Sequence, residues 1–170
     1  PAAGTIGVGA KLVTFYPNNA ARQLPTHMAV VVLFRPETGE PLAVLDGRLI
    51  TEMRTAAASA VATRALASPA AQVLAILGSG VQARSHLEAL GHLRRLANVR
   101  VWSPTKANRD AFVEEMRHAQ PHLVPADSAE DAIRGASLIV LATSSTRPVF
   151  EDEWVAPGAH IMAVGACRPD

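Results

Sequence analysis

The chain has 170 residues, of which 49% are hydrophobic and 4% aromatic, and its 16 basic and 15 acidic side chains leave a net charge of +1. That length allows one medium domain, or one domain with part of another, whose core is built from Ala, Val, Leu and Ile as in α/β layer proteins. Neither charge sign forms a long block and no apolar run approaches the roughly 20 residues that span a bilayer, so neither nucleic acid nor membrane is an expected partner. The single Cys167 excludes an internal disulfide and any multi-cysteine zinc site, and it fits a reducing, cytoplasmic setting.

Three strand-like runs come first, at residues 11–16, 28–34 and 42–47. A polar loop at Pro17-Asn18-Asn19 and turn chemistry at Pro36-Glu37-Thr38-Gly39-Glu40-Pro41 separate them, which predicts an antiparallel meander lying outside any nucleotide fold. Residues 51–67 follow as a helix rich in Ala, with Thr51 as its cap, Glu52 in its first turn and Pro69 ending it. The character of the chain changes near Ser68-Pro69, and we divide it there into regions 1–67 and 68–170.

The second region opens on five apolar residues, Val73 to Leu77, the pattern of a strand covered on both faces. Gly78-Ser79-Gly80-Val81-Gln82-Ala83 comes next and reads as a dinucleotide-phosphate cradle. Gly78 permits a turn that a side chain would obstruct, Gly80 clears space for a pyrophosphate, and Ala83 lets the following helix pack closely and aim its first amides at the phosphates. Helices are expected at 81–96, 105–118 and 128–134, and strands at 99–102, 123–124, 138–142 and 160–164. This βαβ rhythm predicts a Rossmann-type, doubly wound parallel sheet preceded by part of a second, mainly antiparallel α+β domain.

Cofactor choice is read from the end of the second strand of that sheet, where an Asp or Glu would bond the ribose and repel a 2′-phosphate. Ser103-Pro104-Thr105-Lys106 stands there instead, and its hydroxyls, ammonium and helix-start amides favour NADP(H) while leaving NAD(H) possible. Ser103 as a simple N-cap with Pro104 at the first helical position is the structural alternative, and both can hold at once. Asn108 and Arg109 offer further phosphate ligands. Thr143-Ser144-Ser145 follows the strand at 138–142 at its carboxyl end, where ligands of open α/β sheets collect, and is read as lining the nicotinamide side.

Lys11-Leu12-Val13-Thr14, Arg54-Thr55-Ala56-Ala57-Ala58-Ser59-Ala60, Leu77-Gly78-Ser79-Gly80-Val81-Gln82-Ala83, Val101-Trp102-Ser103 and the Trp154 to Ala166 run occur in an order that resembles the ornithine cyclodeaminase and mu-crystallin family. The resemblance implies an NAD(P)-dependent protein with a Rossmann domain and a second domain that forms the substrate pocket and a homodimer. Gly78, Gly80, Val81, Gln82, Ser103, Thr105, Asn108, Thr143 and Ser144 are thus the expected cofactor contacts, and the resemblance adds Val164 near the nicotinamide. His27, in a Pro25-Thr26-His27 segment, joins them by the same resemblance, although a turn-capping histidine is nearly as good a reading. Members of the family are noticeably longer than 170 residues, so a fragment lacking parts of the dimerisation domain is expected, with apolar surface left exposed. Mu-crystallin-like members carry an Arg where this chain has Pro104, a departure from the phosphate-binding pattern.

By resemblance, Lys11 and Arg54 match positions that recognise a substrate carboxylate. Arg54 can fork onto such a group with two parallel hydrogen bonds and is also assigned to the cofactor side; Lys11 can add charge or donate a proton. From the residues alone a surface cation reads Arg54 equally well and Lys11 better. Cyclodeaminases proper carry a catalytic Asp where Cys167 stands, whereas ketimine reductases of the mu-crystallin type have a small polar residue followed by Arg-Pro-Asp, as here in Arg168-Pro169-Asp170. The expected reaction is therefore hydride transfer to the C=N bond of a cyclic imine bearing a carboxylate. An ornithine cyclodeaminase using Asp170, or a related amino-acid dehydrogenase, is the second reading, and a noncatalytic NADPH- or ligand-binding protein the third.

No metal is expected: His118 and His122 have the spacing of a zinc pair, but Pro121 interrupts the helix that would align them. His86 and His92 are expected on the surface of the helix after the glycine turn, and His160 packed beside the last strand.

Overall fold

The computed structural model describes residues 7–164. Up to Met53 these form one compact unit, and from Arg54 onward another.

In the first unit, β1 (Val8–Phe15), β2 (His27–Phe34) and β3 (Pro41–Asp46) make an antiparallel sheet in the order β1-β2-β3, with Lys11 opposite Val31. This is the expected meander, with β1 beginning three residues early and the polar loop wound into a 3-10 turn at Pro17–Arg22. The turn between β2 and β3 closes through Arg35, whose N–H donates to the Glu40 carbonyl and whose guanidinium pairs with the Glu40 carboxylate, 2.7 Å away. Apolar side chains on this sheet remain open to solvent, Leu12 at 67% and Val44 at 71% exposure among them.

Helix α1 runs from Arg48 to Leu66, starting earlier than predicted. Thr51 is not its cap. Asp46 supplies the carboxylate that accepts from the Arg48 N–H at 2.7 Å, an acid at the positive end of the helix. The Thr51 hydroxyl instead donates back to the Gly47 carbonyl, 2.7 Å away, inside the first turn.

The second unit carries β4 (Val73–Leu77), α2 (Val81–Leu93), β5 (Asn98–Trp102), α3 (Lys106–Met116), β6 (Leu123–Pro125), α4 (Ala129–Ile133), β7 (Leu138–Leu141) and β8 (His160–Ala163). Its five strands are all parallel, in the order β6-β5-β4-β7-β8, which is the Rossmann arrangement expected. Helix α2 stops three residues short of the prediction, where Arg94 turns extended while its N–H still bonds the Leu90 carbonyl. Ser128 caps α4, its hydroxyl accepting from the Asp131 N–H.

Along β4 the side chains alternate between two cores, as a strand covered on both faces requires. Leu74 and Ile76 join Leu87, Leu90, Phe112 and Met116 on one side, while Ala75 and Leu77 join Ala132, Ile133 and Ile139 on the other. The strand order reverses across β4, with β5 on one side and β7 on the other, so the loops leaving these carboxyl ends border a crevice.

Candidate cofactor site

The turn after β4 is shaped by its glycines in different ways. Gly78 has a φ of +114°, and a Cβ there would lie 2.2 Å from the Ala142 carbonyl oxygen, so the chain itself demands glycine. Its N–H donates to the Trp102 carbonyl at 2.8 Å, binding the ends of β4 and β5 together. Gly80 is different: its φ of −85° suits any residue, and a Cβ there would meet nothing within 4 Å. Its missing side chain leaves space outside the protein's own packing.

Gly80 is also the N-cap of α2, where no side chain bonds the first amides and the first turn holds no acidic residue. The N-terminus of α3 matches it: Thr105 caps it without a side-chain bond, and no acid stands in its first turn. Two positive helix ends thus offer first-turn N–H groups that neither cap side chain bonds and beside which no first-turn acid stands. The turns leading into the two helices are joined by a hydrogen bond between the Ser79 and Ser103 hydroxyls at 3.1 Å. Ser103 therefore does not cap α3. Thr105 occupies that position, because the helix begins at Lys106.

Val81 is exposed at the start of α2, and Gln82 beside it has a buried Oε1 with no hydrogen-bond partner. An orphaned acceptor is costly to bury, and a ligand donor would satisfy it. Asn108 lies exposed in the first turn of α3. Arg109 does not join it: the residue is 6% exposed and its guanidinium is occupied by Asp110, the Ala126 carbonyl and Asp127, because the 109, 112, 113, 116 face of α3 is the buried one.

Thr143 and Ser144 lead off the end of β7, with the Thr143 hydroxyl accepting from the Ser145 N–H at 3.3 Å. Val164 closes the same edge, its N–H donating to the Leu141 carbonyl at 2.8 Å. The structure thus brings Gly78, Gly80, Val81, Gln82, Ser103, Thr105, Asn108, Thr143, Ser144 and Val164 to the carboxyl side of one parallel sheet. These open glycine, amide and hydroxyl groups fit an elongated diphosphate ligand such as a nicotinamide dinucleotide.

Lys11 and His27 belong to the first unit. The Lys11 ammonium donates to the Thr51 hydroxyl at 3.2 Å. His27 opens β2, stacked on Phe15 with ring centroids 4.4 Å apart and bonded to the Thr26 hydroxyl. Arg54 is exposed on α1. Cys167, Arg168 and Asp170 lie outside the described residues.

Two further residues of α2 are tied into the packing around the turn. His86, expected on the surface, is fully buried. Its Nδ1 donates to the Gln82 carbonyl at 2.7 Å, which leaves Nε2 to accept from the Ser59 hydroxyl at 2.9 Å. Burial holds its pKa below the ordinary value, partly offset by the bond to Gln82. Arg84 matches no motif of the sequence, yet its guanidinium forks onto Glu115, donates to the Ser79 carbonyl at 2.6 Å and lies 5.3 Å from the Phe112 ring centroid. The Arg84 hydrogen bond holds the Glu115 carboxyl below its usual range. His92 is exposed and His160 half-buried at the start of β8, as expected.

Among the described residues no group of three or more His, Cys, Asp or Glu can hold a metal ion, and no helix is long and apolar enough to cross a membrane.

The sequence pattern of the ornithine cyclodeaminase/mu-crystallin family matches residues 1–170. Ketimine reductase mu-crystallin of Rattus norvegicus is 46% identical over 160 residues, covering 94% of this chain and 50% of that protein. Among solved structures, the Δ1-pyrroline-2-carboxylate reductase of Thermococcus litoralis, in complex with NADH and L-proline, superposes with a TM-score of 0.89 at 36% identity. That match covers 94% of this chain and 50% of the other. An archaeal alanine dehydrogenase dimer with bound NAD superposes with a TM-score of 0.85 at 35% identity, covering 90% of this chain and 47% of the other. The chain spans about half the length of these relatives.

Proposed function

The chain belongs to the ornithine cyclodeaminase/mu-crystallin family, and from that premise we propose that it binds a nicotinamide dinucleotide and serves the reduction of a cyclic imine bearing a carboxylate. The observation that carries this reading is Gly80: a glycine that neither backbone angle nor packing requires, set at a helix N-terminus on the carboxyl edge of a parallel sheet. A ligand needs that space; the fold does not. The similarity to a ketimine reductase, and to a pyrroline-carboxylate reductase whose structure holds NADH and L-proline, supports the choice of reaction.

The amides at the start of α2 and the open Gly80 bind the pyrophosphate. Ser103, Thr105, Asn108 and the neighbouring Lys106 receive the adenosine end, and the lack of an acid after β5 favours NADPH over NADH. Thr143, Ser144 and Val164 border the nicotinamide, with Val81, Gln82 and His27 completing the cofactor contacts. When bound, the reduced nicotinamide supplies a hydride. Arg54 and Lys11 neutralise the substrate carboxylate, and Lys11 gives the imine nitrogen its proton, so that C=N plus hydride plus proton becomes CH–NH. Cys167 in place of the cyclodeaminase Asp favours reduction over ammonia loss.

The domain roles belong to the same proposal: residues 68–170 bind the cofactor, while residues 1–67 contribute to the substrate pocket and to a homodimer. The exposed apolar side chains of β1 to β3 and the dimeric alanine dehydrogenase support the pairing. The single cysteine supports a cytoplasmic setting.

The test adds five- and six-membered cyclic ketimine carboxylates to the chain with NADPH or NADH and follows the loss of the reduced cofactor's absorbance. Oxidation that depends on the ketimine supports the reading. Cofactor binding without turnover points to a noncatalytic binding protein, and release of ammonia from ornithine to a cyclodeaminase.

A further inference from the structure

Gly80 solves one problem at the pyrophosphate site and creates another. Its open Cα lets a phosphate approach, but glycine also leaves the Ser79–Gly80 peptide cheap to rotate, and its N–H can bind a phosphate only if it faces outward. In a trans peptide the C=O and N–H point in opposite directions, so whatever fixes the Ser79 carbonyl also aims the Gly80 amide.

Arg84 fixes that carbonyl. Its Nη1 donates to Ser79 O at 2.6 Å, while Nε lies 2.9 Å from each oxygen of the Glu115 carboxylate. The guanidinium also lies above the ring of Phe112, which is fully buried. Arg84 lies on α2, and Phe112 and Glu115 on α3, so one planar cation spans both helices that flank the site and still reaches the turn between β4 and α2. Arginine suits this place because its fork holds a carboxylate and a carbonyl at once, whereas a lysine ammonium has no such plane. The Ser79 hydroxyl is tied separately to Ser103, so the carbonyl and the hydroxyl of that residue each have their own partner.

We infer that Arg84 is a positioning residue for the cofactor: locked by Glu115 and Phe112, it holds the Ser79 carbonyl inward and so presents the Gly80 amide to the dinucleotide pyrophosphate. This rests on the cofactor reading above. The rival role for a cation near a phosphate site is direct contact with the phosphate, and Glu115 separates the two. If Arg84 touched phosphate, removing the competing carboxylate would free the cation and tighten binding. If Arg84 acts through Ser79, removing its anchor loosens the peptide and weakens binding.

The experiment titrates NADPH and NADH against the full chain and its Arg84→Met, Arg84→Lys and Glu115→Gln variants by nicotinamide fluorescence, with KM values for cofactor and ketimine measured alongside. Arg84→Met should weaken the preferred cofactor about tenfold, with the ketimine KM unchanged. Arg84→Lys should recover part of that loss, and Glu115→Gln should weaken binding by a smaller factor. Tighter binding in Glu115→Gln, or unchanged binding in both Arg84→Lys and Glu115→Gln, would overturn the inference, even where Arg84→Met does not fold. Should the unaltered chain bind neither NADPH nor NADH, the cofactor reading falls and takes the inference with it; binding by that chain with indifferent variants sinks the inference alone.

Discussion

Gly78 stands so close to Ala142 that an added Cβ would lie 2.2 Å from the Ala142 carbonyl oxygen, and this approach draws the end of β4 against the end of β7. Two residues on, Gly80 meets nothing within 4 Å. One glycine serves the fold and the other serves a ligand, a division that substitution makes visible.

Gly78→Ala should destabilise the chain by about 3 kcal/mol or more, since a backbone collision adds to a strained positive φ. Gly80→Ala should change the unfolding free energy by less than about 1 kcal/mol, because its φ already suits alanine. Yet Gly80→Ala should weaken NADPH binding by at least about tenfold. Thermal unfolding and a fluorescence titration of both variants check the pair; a Gly80→Ala variant that binds NADPH normally would contradict the assignment.

Ser103→Asp places a carboxylate after β5 where a dinucleotide's ribose would lie, while an Asp oxygen can still accept from the Ser79 hydroxyl. The added charge should repel a 2′-phosphate and shift the ratio of NADPH to NADH affinity by about tenfold or more toward NADH. Parallel titrations with the two cofactors measure it.

Buried His86 makes stability depend on pH. Its neutral form is favoured in the fold, so in acid the unfolded chain binds the proton first and gains relative stability. Its contribution is complete above the ordinary value of about 6.5 and is lost as pH falls through the lower folded value. Denaturant unfolding between pH 8 and pH 5, taken as rough bounds around that window, should show stability falling toward acid. His86→Gln should flatten that fall.

Arg54→Met should raise the ketimine KM about tenfold by removing the carboxylate fork, and Arg54→Lys should restore only part of it. Initial rates at saturating cofactor give the answer, and an unchanged ketimine KM would return Arg54 to the role of a surface cation.

The strand–turn–helix from Val73 to Ala83 was legible because its signals agree: an apolar run, glycines at fixed spacing and a small residue where the helix packs. The meander before it was legible from alternating strand and turn chemistry. The start of α1 was not legible, because Thr51 is a good cap by type, whereas Asp46, placed at the end of β3, does that work across a glycine. His86 was readable after all: with Ala83, Leu87 and Leu90 it falls on one helical face, and that face is buried. Arg109 shares a face with Phe112, Val113 and Met116 in the same way. Arg84 gave no such signal, since its meaning comes from Glu115 thirty-one residues away and from a carbonyl of the turn.

The most direct test of the account is to supply NADPH with both hydrogens of the transferring nicotinamide carbon replaced by deuterium, add a cyclic ketimine carboxylate and examine the product by NMR. The account predicts a cyclic amino acid with deuterium on the carbon that bears the carboxylate, formed in step with cofactor oxidation. Unlabelled product, or no oxidation of either nicotinamide cofactor, would contradict it.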